Sequence, residues 1–337
     1  MNISVLKPGL LTTVQDQGRF GYQQAGLVVS GALDAVALCT ANLLVGNPET
    51  AAGLECTLRG PTLRFETDAL LALTGADLAA SINGQPVPTS RPVAVRAGTV
   101  LAFGAPPRGG RAYLAVAGGV AVPVVLGSRA TYLRAALGGF QGRALRAGDE
   151  LPVGEWSATG VRLFAALRPA NLRGWAAASW WAHVTPPRAQ PADALLVRAL
   201  PGPEYEQFTP ESQQNFWAQT FGVTTEADRM GCRLSSPALT RHTAAELLSS
   251  AVTFGTVQVP AGGQPIVLLA DCQTTGGYPR LAQVISADLG RLAQALPGTR
   301  LRFQVITLAE AQALYLAQQQ RLRALRSTIQ LRLIYDK

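Results

Sequence analysis

Short apolar runs, separated by clusters of glycine, proline and threonine, extend along most of the chain. Residues 111–117 alternate in the manner of a half-buried strand, whereas residues 266–270 form a continuous apolar run. Glycine-rich turn signals follow both runs. The pattern predicts strands at 10–14, 69–73, 111–117, 122–126, 266–270 and 301–306. Helical patterns are rarer and predict helices at 34–45, 211–221, 282–296 and 308–325.

A weak internal repeat relates the two halves of the chain. Residues 98–103 match residues 298–303 at an offset of about 200 positions, and residues 30–34 lie opposite 227–231 at nearly the same offset. We therefore expect a mainly β fold with two related β-domains. The predicted bounds are 1–154 for the first domain, 155–195 for a connector, 196–307 for the second domain and 308–337 for a C-terminal helix and tail.

Composition supports two folded domains and narrows the possible partners. The 337 residues are 48% hydrophobic and 15% charged, which is enough apolar material for large cores. The net charge of +8 comes almost wholly from arginines that are spread singly, without a recognisable nucleic-acid-binding module, so no nucleic-acid partner is expected. Residues 91–148 contain eight arginines and no acidic residue. This segment predicts an acidic partner or an anionic ligand, unless it only reflects an arginine-favouring proteome.

Cysteine, histidine and hydropathy patterns indicate a cytoplasmic protein without a metal site. The four cysteines are widely spaced with no CxxC pair, and His183 and His242 are the only histidines. The N-terminus lacks the pattern of a signal peptide. The uncharged run at residues 112–128 is interrupted by glycine and proline and is shorter than the ~20 residues of a membrane helix. We therefore expect no membrane partner.

Several sequence motifs for nucleotide and cofactor binding are absent. The chain has no GxxxxGK[ST] phosphate loop and no GxGxxG between a strand and a helix. Lys7 and Lys337 are the only lysines, and neither lies in a biotin-attachment pattern. We expect no covalently attached biotin on this chain. If ATP or carboxybiotin is used, a partner must bring it or share the site.

A first group of candidate residues follows the strand predicted at 10–14. A carboxylate can accept from an amide N–H while arginine or glutamine donates to the amide carbonyl, so Gln15, Asp16 and Arg19 are interpreted as binding or activating a planar amide. The alternative is a structural Asp16–Arg19 ion pair.

A candidate anion site follows the strand predicted at 122–126. Ser128, Arg129 and Thr131 offer hydroxyl, guanidinium and backbone N–H groups to an anion. The alternative is a plain turn.

A second group of candidates lies where the run 266–270 ends in a carboxylate and opens into a threonine- and glycine-rich turn. Strand ends of this kind place side-chain oxygens and backbone N–H groups where ligands are often held, although a surface β-turn has the same composition. The candidate catalytic or ligand-positioning residues are Asp271, Gln273, Thr274 and Thr275. Cys272 is either a nucleophile or a small buried apolar residue.

Residues around position 230 form a candidate carboxylate-recognition group. Asp228, Arg229 and Arg233 suit bidentate recognition of a substrate carboxylate, with an inter-domain ion pair as the alternative for Arg229. Glu55 and Gln258 lie beside strands near matched positions of the two domains, where both are expected to face a shared crevice.

Tyr278 is the last candidate for the ligand site. It is expected to stack on a small ligand or donate to it, or else to be buried with a satisfied hydroxyl.

Many ordered motifs together give a family resemblance. They are Gln15-Asp16, Gly18-Arg19, Gly21-Tyr22, Ser30-Gly31, Asp34, Asn42, Gly46-Asn47, Leu54-Glu55, Asp228-Arg229, Gly231, Arg233-Leu234, residues 255–260 and residues 266–279. With these motifs the chain resembles the family of C-type 5-oxoprolinase subunits, also called the Kip-type inhibitor antagonist or allophanate hydrolase second-subunit family. That family is similar to part of the carboxyltransferase region of urea carboxylase. The resemblance extends over about residues 5–303.

The resemblance implies a fold, an activity and partners. The fold is a pair of cyclophilin-like β-barrels. The activity is ATP-dependent hydrolysis of 5-oxo-L-proline to L-glutamate, with ATP and Mg²⁺ used in a complex with a B-type (Kip-type inhibitor-like) subunit and an A-type subunit. The alternatives are a carboxyltransferase-type subunit acting on urea or another amide with carboxybiotin, and a non-catalytic protein that captures a Kip-type kinase inhibitor. The site is expected where the corner at 15–16 and the corner at 271–275 share one crevice.

Overall fold

The computed structural model describes residues 2–104, 108–167, 174–182, 194–243 and 247–335. The chain divides into two units that are interleaved in sequence. The first unit comprises Met1–Arg19, Asp34–Pro186 and Gln319–Lys337, and the second comprises Phe20–Leu33 and Pro187–Gln318. The predicted bounds instead took each domain as one continuous stretch. Much of the predicted connector, including His183, lies outside the described residues.

Strands outnumber helices in both units. The strands of the first unit are β1 (Asn2–Lys7), β2 (Leu11–Gln15), β3 (Gly53–Thr57), β4 (Thr62–Phe65), β5 (Ala69–Asp77), β6 (Ala80–Ile82), β7 (Gln85–Pro86), β8 (Pro92–Val95), β9 (Val100–Phe103), β10 (Arg108–Val116), β11 (Glu150–Pro152) and β12 (Trp175–Ala177). Those of the second are β13 (Leu195–Pro201), β14 (Phe221–Val223), β15 (Gly231–Ser235), β16 (Ser250–Ala251), β17 (Thr256–Gln258), β18 (Ile266–Leu268), β19 (Thr275–Gly276), β20 (Arg280–Val284) and β21 (Arg300–Val305). The helices are α1 (Ala35–Leu44), α2 (Ala158–Leu167), α3 (Pro210–Ala218), α4 (Leu289–Ala293) and α5 (Leu308–Tyr335), with short 3-10 turns at Gln23–Ala25, Leu133–Ala135, Tyr205–Gln207 and Ser286–Asp288.

The first unit contains two six-stranded sheets with an apolar core between them. One sheet has the order β11-β1-β4-β9-β6-β7 and the other β12-β8-β5-β10-β3-β2. Alternation along β5 shows why the second sheet is buried on both faces. Leu71 and Leu73 point into the core between the sheets, whereas Leu70 and Ala72 belong to a separate apolar cluster with α1, α2 and the C-terminal half of α5.

The second unit contains a closed seven-stranded barrel with the order β13-β20-β17-β18-β15-β14-β21. Phe216 of α3 stacks on Phe303 of β21 with ring centroids 4.5 Å apart, and Phe221 meets Phe303 edge-on at 5.5 Å. These rings lie in an apolar core that also includes Leu33, which explains why residues 20–33 belong to this unit. Strands β16 and β19 form a separate two-stranded sheet.

The predicted mainly β fold is confirmed, and so is the start of the first helix. Asp34 caps α1, since its Oδ1 accepts from the N–H of Ala37 at 3.0 Å. The strands predicted at 69–73, 111–117 and 301–306 correspond to β5, β10 and β21. A closed barrel is present in the second unit, and the cyclophilin-like topology of both domains stays a prediction. No helix in the described part of the chain has the length and apolar character needed to span a bilayer, and a cytoplasmic location also stays a prediction.

Three secondary-structure predictions were wrong. The helix predicted at 282–296 begins as β20, because its first residues pair with β13 and β17, and α4 starts only at Leu289. The strand predicted at 122–126 is instead an irregular segment that ends in a turn bridged between Val125 and Ser128. Helix α5 continues to Tyr335, ten residues beyond its predicted end at 325. Helix α2 was not predicted.

One part of the predicted repeat has matching backbone hydrogen bonds in the two units. The N–H of Gly98 donates to the carbonyl of Phe65 at 2.7 Å, and the Phe65 N–H donates back to the threonine after Gly98 at 3.0 Å. Gly298 and Val223 repeat this pair of bonds at 2.8 and 3.0 Å. The two Gly-Thr turns are therefore equivalent, and the wider duplication stays a prediction.

Candidate functional site

The carboxylate of Asp16 holds a loop of the first unit in place. Asp16 follows β2 and is buried. Its Oδ1 accepts from the Gly18 N–H at 2.9 Å and from the Ser128 hydroxyl at 2.7 Å, and its Oδ2 accepts from the Arg129 N–H at 2.5 Å. The hydroxyl and N–H groups that we predicted would bind an anion therefore bind an anion of the chain itself.

The neighbours of Asp16 hold the same loop. Arg19, fully buried, donates from Nε to the Val125 carbonyl and from Nη2 to the Ala130 carbonyl, both at 3.0 Å. Gln15, also fully buried, donates from Nε2 to the Thr131 carbonyl at 3.1 Å. The residues predicted to bind an amide, at the end of β2 and just after it, therefore stabilise a loop of the first unit. We call this the loop-holding role.

The loop held in this way contains a strained turn. Val125 and Ser128 exchange backbone hydrogen bonds of 2.8 and 3.3 Å around a two-residue turn. The φ values of Leu126 and Gly127 are +52° and +76°, as in a type I′ turn. Leucine is a poor residue for this conformation, because its Cβ is crowded when φ is positive. The hydrogen bonds from Arg19 to Val125 and from Ser128 to Asp16 therefore stabilise the turn in this unfavourable conformation.

A buried polar row crosses the sheet that contains β2, β3 and β10. Thr13, Glu55 and Tyr113 lie side by side in register. The Tyr113 hydroxyl donates to Glu55 Oε2 at 2.9 Å and accepts from the Asp34 N–H at 2.8 Å, while Arg111 Nε lies 3.8 Å from Glu55 Oε1. Burial, followed by the charge of Glu55, holds the pKa of Tyr113 well above its usual value. Tyr113 therefore stays a hydrogen-bond donor to Glu55 at neutral pH. The sequence analysis missed Tyr113. This residue lies two positions after Arg111 in β10, so both side chains are on the same face of the strand.

A buried bidentate ion pair joins two candidate residues of the second unit. Arg229 donates to both carboxylate oxygens of Asp271, from Nε at 2.9 Å and from Nη2 at 3.0 Å. Its Nη2 also donates to the Gly31 carbonyl at 2.7 Å, and Ser30 N–H donates to the Ala270 carbonyl at 3.0 Å. Asp271, predicted to act on a ligand, thus helps to fix residues 20–33 on their own unit.

The other predicted carboxylate-recognition residues are separate from that pair. Asp228 Oδ1 accepts from the N–H groups of Met230 and Gly231, at 2.7 and 3.1 Å, and so stabilises the turn before β15. The side chain of Arg233 is 54% exposed, with its Nε 3.4 Å from Glu226.

The threonine and glutamine residues after Asp271 form a short rim of the second unit. Thr275 lies in β19 and is exposed, and the carbonyl of Thr274 accepts from the Val252 N–H at 3.1 Å. Gln258, at the end of β17, is 1% exposed, and Gln273 is half-buried with its Nε2 3.5 Å from Gln258 Oε1. The structure thus brings the carboxamides of Gln258 and Gln273 together, with Gln273 only partly buried.

Two further candidate residues lie beside this rim. The side chain of Tyr278 is exposed, and its carbonyl accepts from Gln258 Nε2 at 3.2 Å. Cys272 lies in an apolar cluster with Leu268, and burial, followed by the charge of Asp271, raises its thiol pKa to about 11. Its thiol is therefore protonated at neutral pH, as suits a small apolar residue.

The anion site predicted from the sequence is not open to a phosphate group. The predicted anion site at Ser128 and Arg129 is filled by the carboxylate of Asp16. Within the described ranges no three histidine, cysteine, aspartate or glutamate side chains are grouped to hold a metal.

Comparison with known proteins gives one family. Residues 25–305 match the family described as carboxyltransferase domain, subdomain A and B. The chain is 42% identical over 313 residues to the C-type 5-oxoprolinase subunit of Escherichia coli K12, a match that covers 92% of this chain and 93% of that protein. It is 38% identical over 309 residues to the C-type 5-oxoprolinase subunit of Haemophilus influenzae, with the same coverage.

A solved structure supports the same grouping. The K. lactis urea amidolyase superimposes with a TM-score of 0.84 at 26% identity. The match covers 96% of this chain and 20% of the amidolyase. This chain therefore spans about a fifth of that longer protein.

Proposed function

The chain belongs to the carboxyltransferase domain family, subdomain A and B, and on this basis we propose that it is a subunit of an ATP-dependent 5-oxoprolinase. In this proposal the complete enzyme opens the lactam of 5-oxo-L-proline with water to give L-glutamate. The activity also requires an A-type subunit and a B-type, Kip-type inhibitor-like subunit.

One observation carries the proposal. The similarity to the C-type 5-oxoprolinase subunit of Escherichia coli covers more than nine tenths of both chains at 42% identity. The matching part of the urea amidolyase, in contrast, is 20% of a much longer protein. The higher identity to the C-type 5-oxoprolinase subunit, 42% against 26% for the urea amidolyase, favours the 5-oxoprolinase function.

The chemistry divides the work between this chain and its partners. A lactam carbonyl is a poor electrophile, because resonance with the ring nitrogen stabilises it, so its hydrolysis is coupled to an energy source. Because Asp16 fills the anion site predicted on this chain, we assign nucleotide binding to the partner subunits. This chain is proposed to contribute groups that hold the lactam.

Reconstitution tests the proposal. The purified chain is mixed with A-type and B-type subunits, and ATP hydrolysis and glutamate are measured with and without 5-oxo-L-proline. We expect lactam-dependent ATP hydrolysis that disappears when this chain is omitted. Absence of lactam-dependent hydrolysis with all three subunits present would refute it. Complex formation without turnover would instead favour the binding-protein alternative.

The superposition with urea amidolyase favours a second candidate function, carboxyl transfer from carboxybiotin to urea or another amide. In that case a biotin carboxylase must accompany the chain, and turnover must depend on bicarbonate. Inhibition by avidin separates the two candidates, because only the carboxyl-transfer reaction uses biotin.

A further inference from the structure

Two carboxamide side chains meet beside the rim of the second unit. The Nε2 of Gln258 donates to the carbonyl of Tyr278 at 3.2 Å, and this bond turns its Oε1 toward Gln273. The contact from Gln273 Nε2 to Gln258 Oε1 is 3.5 Å, at the outer limit of a hydrogen bond. Among the described residues Gln273 forms no other side-chain hydrogen bond. Its amide is therefore oriented but weakly engaged.

The backbone that carries Gln273 is fixed on both sides. On one side the Cys272 N–H donates to the Leu269 carbonyl at 3.1 Å, and Asp271 is bound by Arg229. On the other side the carbonyl of Thr274 accepts from the N–H of Val252, the residue after β16, and β19 pairs with β16. A half-buried side chain on a fixed backbone loses little conformational freedom when it binds a ligand.

Gly276 leaves the space that the buried amide of Gln258 occupies. A Cβ at Gly276 would lie 2.7 Å from Gln258 Nε2, which is closer than real Cβ contacts allow. Any side chain at this position would displace the amide that orients Gln273.

The chemistry of a lactam matches a primary carboxamide. A five-membered lactam holds its N–H and C=O cis, so donor and acceptor point to the same side. A glutamine amide offers the complementary pair, an oxygen that accepts and an N–H that donates. The carboxylate oxygens of Asp271 are both engaged by Arg229 and are less suited to this task.

We propose that Gln273 recognises the cis-amide edge of the substrate. Its Oε1 accepts from the ring N–H, and one Nε2 hydrogen donates to the ring carbonyl while the other remains directed at Gln258. Gln273 is thereby a specificity residue for lactams with a free N–H, and Gln258 is its positioning residue. The inference rests on the proposed 5-oxoprolinase function and names the group that reads the substrate.

Steady-state kinetics of the reconstituted complex test the inference. The substrates are 5-oxo-L-proline and its N-methyl analogue, which lacks the ring N–H, and the variants are Gln273→Ala and, as a matched control, Gln304→Ala. Gln304 is an exposed glutamine on β21 of the same unit. Loss of two hydrogen bonds should raise KM for 5-oxo-L-proline roughly 10- to 100-fold in Gln273→Ala, with a smaller change in kcat. The same variant should lose the preference for the free lactam over its N-methyl analogue, while Gln304→Ala behaves as wild type.

The outcomes separate this inference from the proposed function. If the wild-type complex turns over 5-oxo-L-proline and Gln273→Ala has an unchanged KM and unchanged preference, the inference is overturned and the function stands. If the wild-type complex shows no turnover, the proposed function fails, and calorimetric titration of 5-oxo-L-proline into the complex decides the inference. Binding that is lost in Gln273→Ala supports it, and either no binding or equal binding by both proteins overturns it.

Discussion

Replacing Asp16 with asparagine should destabilise the first unit. The substitution keeps the size of the side chain and exchanges one carboxylate oxygen for an NH₂ group. Two donors, Gly18 N–H and Ser128 Oγ, share Oδ1, and one, Arg129 N–H, faces Oδ2. The best orientation of the asparagine keeps the two bonds on its oxygen and turns its NH₂ against the Arg129 N–H, where no hydrogen bond can form.

The magnitude follows from these three bonds. A hydrogen bond to a charged group contributes about 1.5–3 kcal/mol, and a neutral one about half of that. Asp16→Asn loses one bond and weakens two, so it should lower the free energy of unfolding by about 3 kcal/mol. Ser128→Ala removes the charge-assisted bond to Asp16 and also the bond that Ser128 Oγ accepts from the Ala130 N–H at 2.9 Å, so it should lower the free energy of unfolding by about 3 kcal/mol. In the Asp16→Asn background the bond from Ser128 to position 16 is neutral instead of charge-assisted, while the bond from the Ala130 N–H is unchanged, which predicts a coupling of about 1 kcal/mol.

Guanidinium unfolding followed by tryptophan fluorescence measures these changes. Four of the five tryptophans, at positions 156, 175, 180 and 181, belong to the first unit, so the signal reports mainly on that unit. Asp77→Asn is a matched control, since Asp77 accepts one exposed backbone bond, from the N–H of Ala79 at 2.9 Å. Its cost should stay below about 1 kcal/mol.

A different result would refute the loop-holding role of Asp16. If Asp16→Asn changed the free energy of unfolding by less than about 0.5 kcal/mol and yet abolished turnover of the reconstituted complex, the carboxylate would act on a substrate. Its three hydrogen bonds would then be incidental to stability.

Three further predictions concern stability. Leu126→Asn should raise the free energy of unfolding by about 0.5–1 kcal/mol, because asparagine tolerates the left-handed φ of +52°, and a lower unfolding midpoint would contradict this. Gly139→Ala should cost at least about 3 kcal/mol, since its Cβ would overlap a threonine hydroxyl, whereas Gly148→Ala, also at positive φ but with nothing within 4 Å, should cost only about 1 kcal/mol; equal losses in chemical denaturation would refute the steric argument. The hydrogen bond from Arg280 lowers the pKa of Glu204 from its ordinary value of 4.5, so the stabilisation by this pair is complete above that pH and is lost as the pH falls through the lower folded-state pKa. The difference in unfolding midpoint between wild type and Glu204→Gln should therefore shrink in acid, and a difference that is constant from pH 7 to about pH 2 would contradict the assignment.

Elements that depend on local sequence were predicted well. The alternation at 111–117 gives β10, and the cap at Asp34 gives the start of α1, because both signals lie within the element itself. The segment 282–296 was read as a helix because its apolar residues allow either period. Its strand is instead determined by pairing with β13, more than 80 residues earlier in the chain, and no local pattern contains that information.

The hydrogen-bond partners of the candidate residues were not predictable from the sequence. Asp16 comes together with Ser128 across 112 positions of sequence, and Arg229 comes together with Asp271 across 42. A carboxylate after a strand and a hydroxyl in a glycine-rich loop look the same in the sequence whether they bind a ligand or each other. The structure decides between these cases, because it shows which donors and acceptors are already used.

This distinction also explains why Gln273 is the stronger candidate for ligand recognition. Charged groups that are buried must be paired, since an unpaired buried charge costs several kcal/mol, so Asp16 and Asp271 reach their low exposure only with partners inside the chain. A half-exposed amide needs no such partner, because water satisfies it until a ligand arrives. The uncharged lactam group of 5-oxo-L-proline suits a weakly engaged neutral side chain on a fixed backbone, and Gln273 meets both conditions.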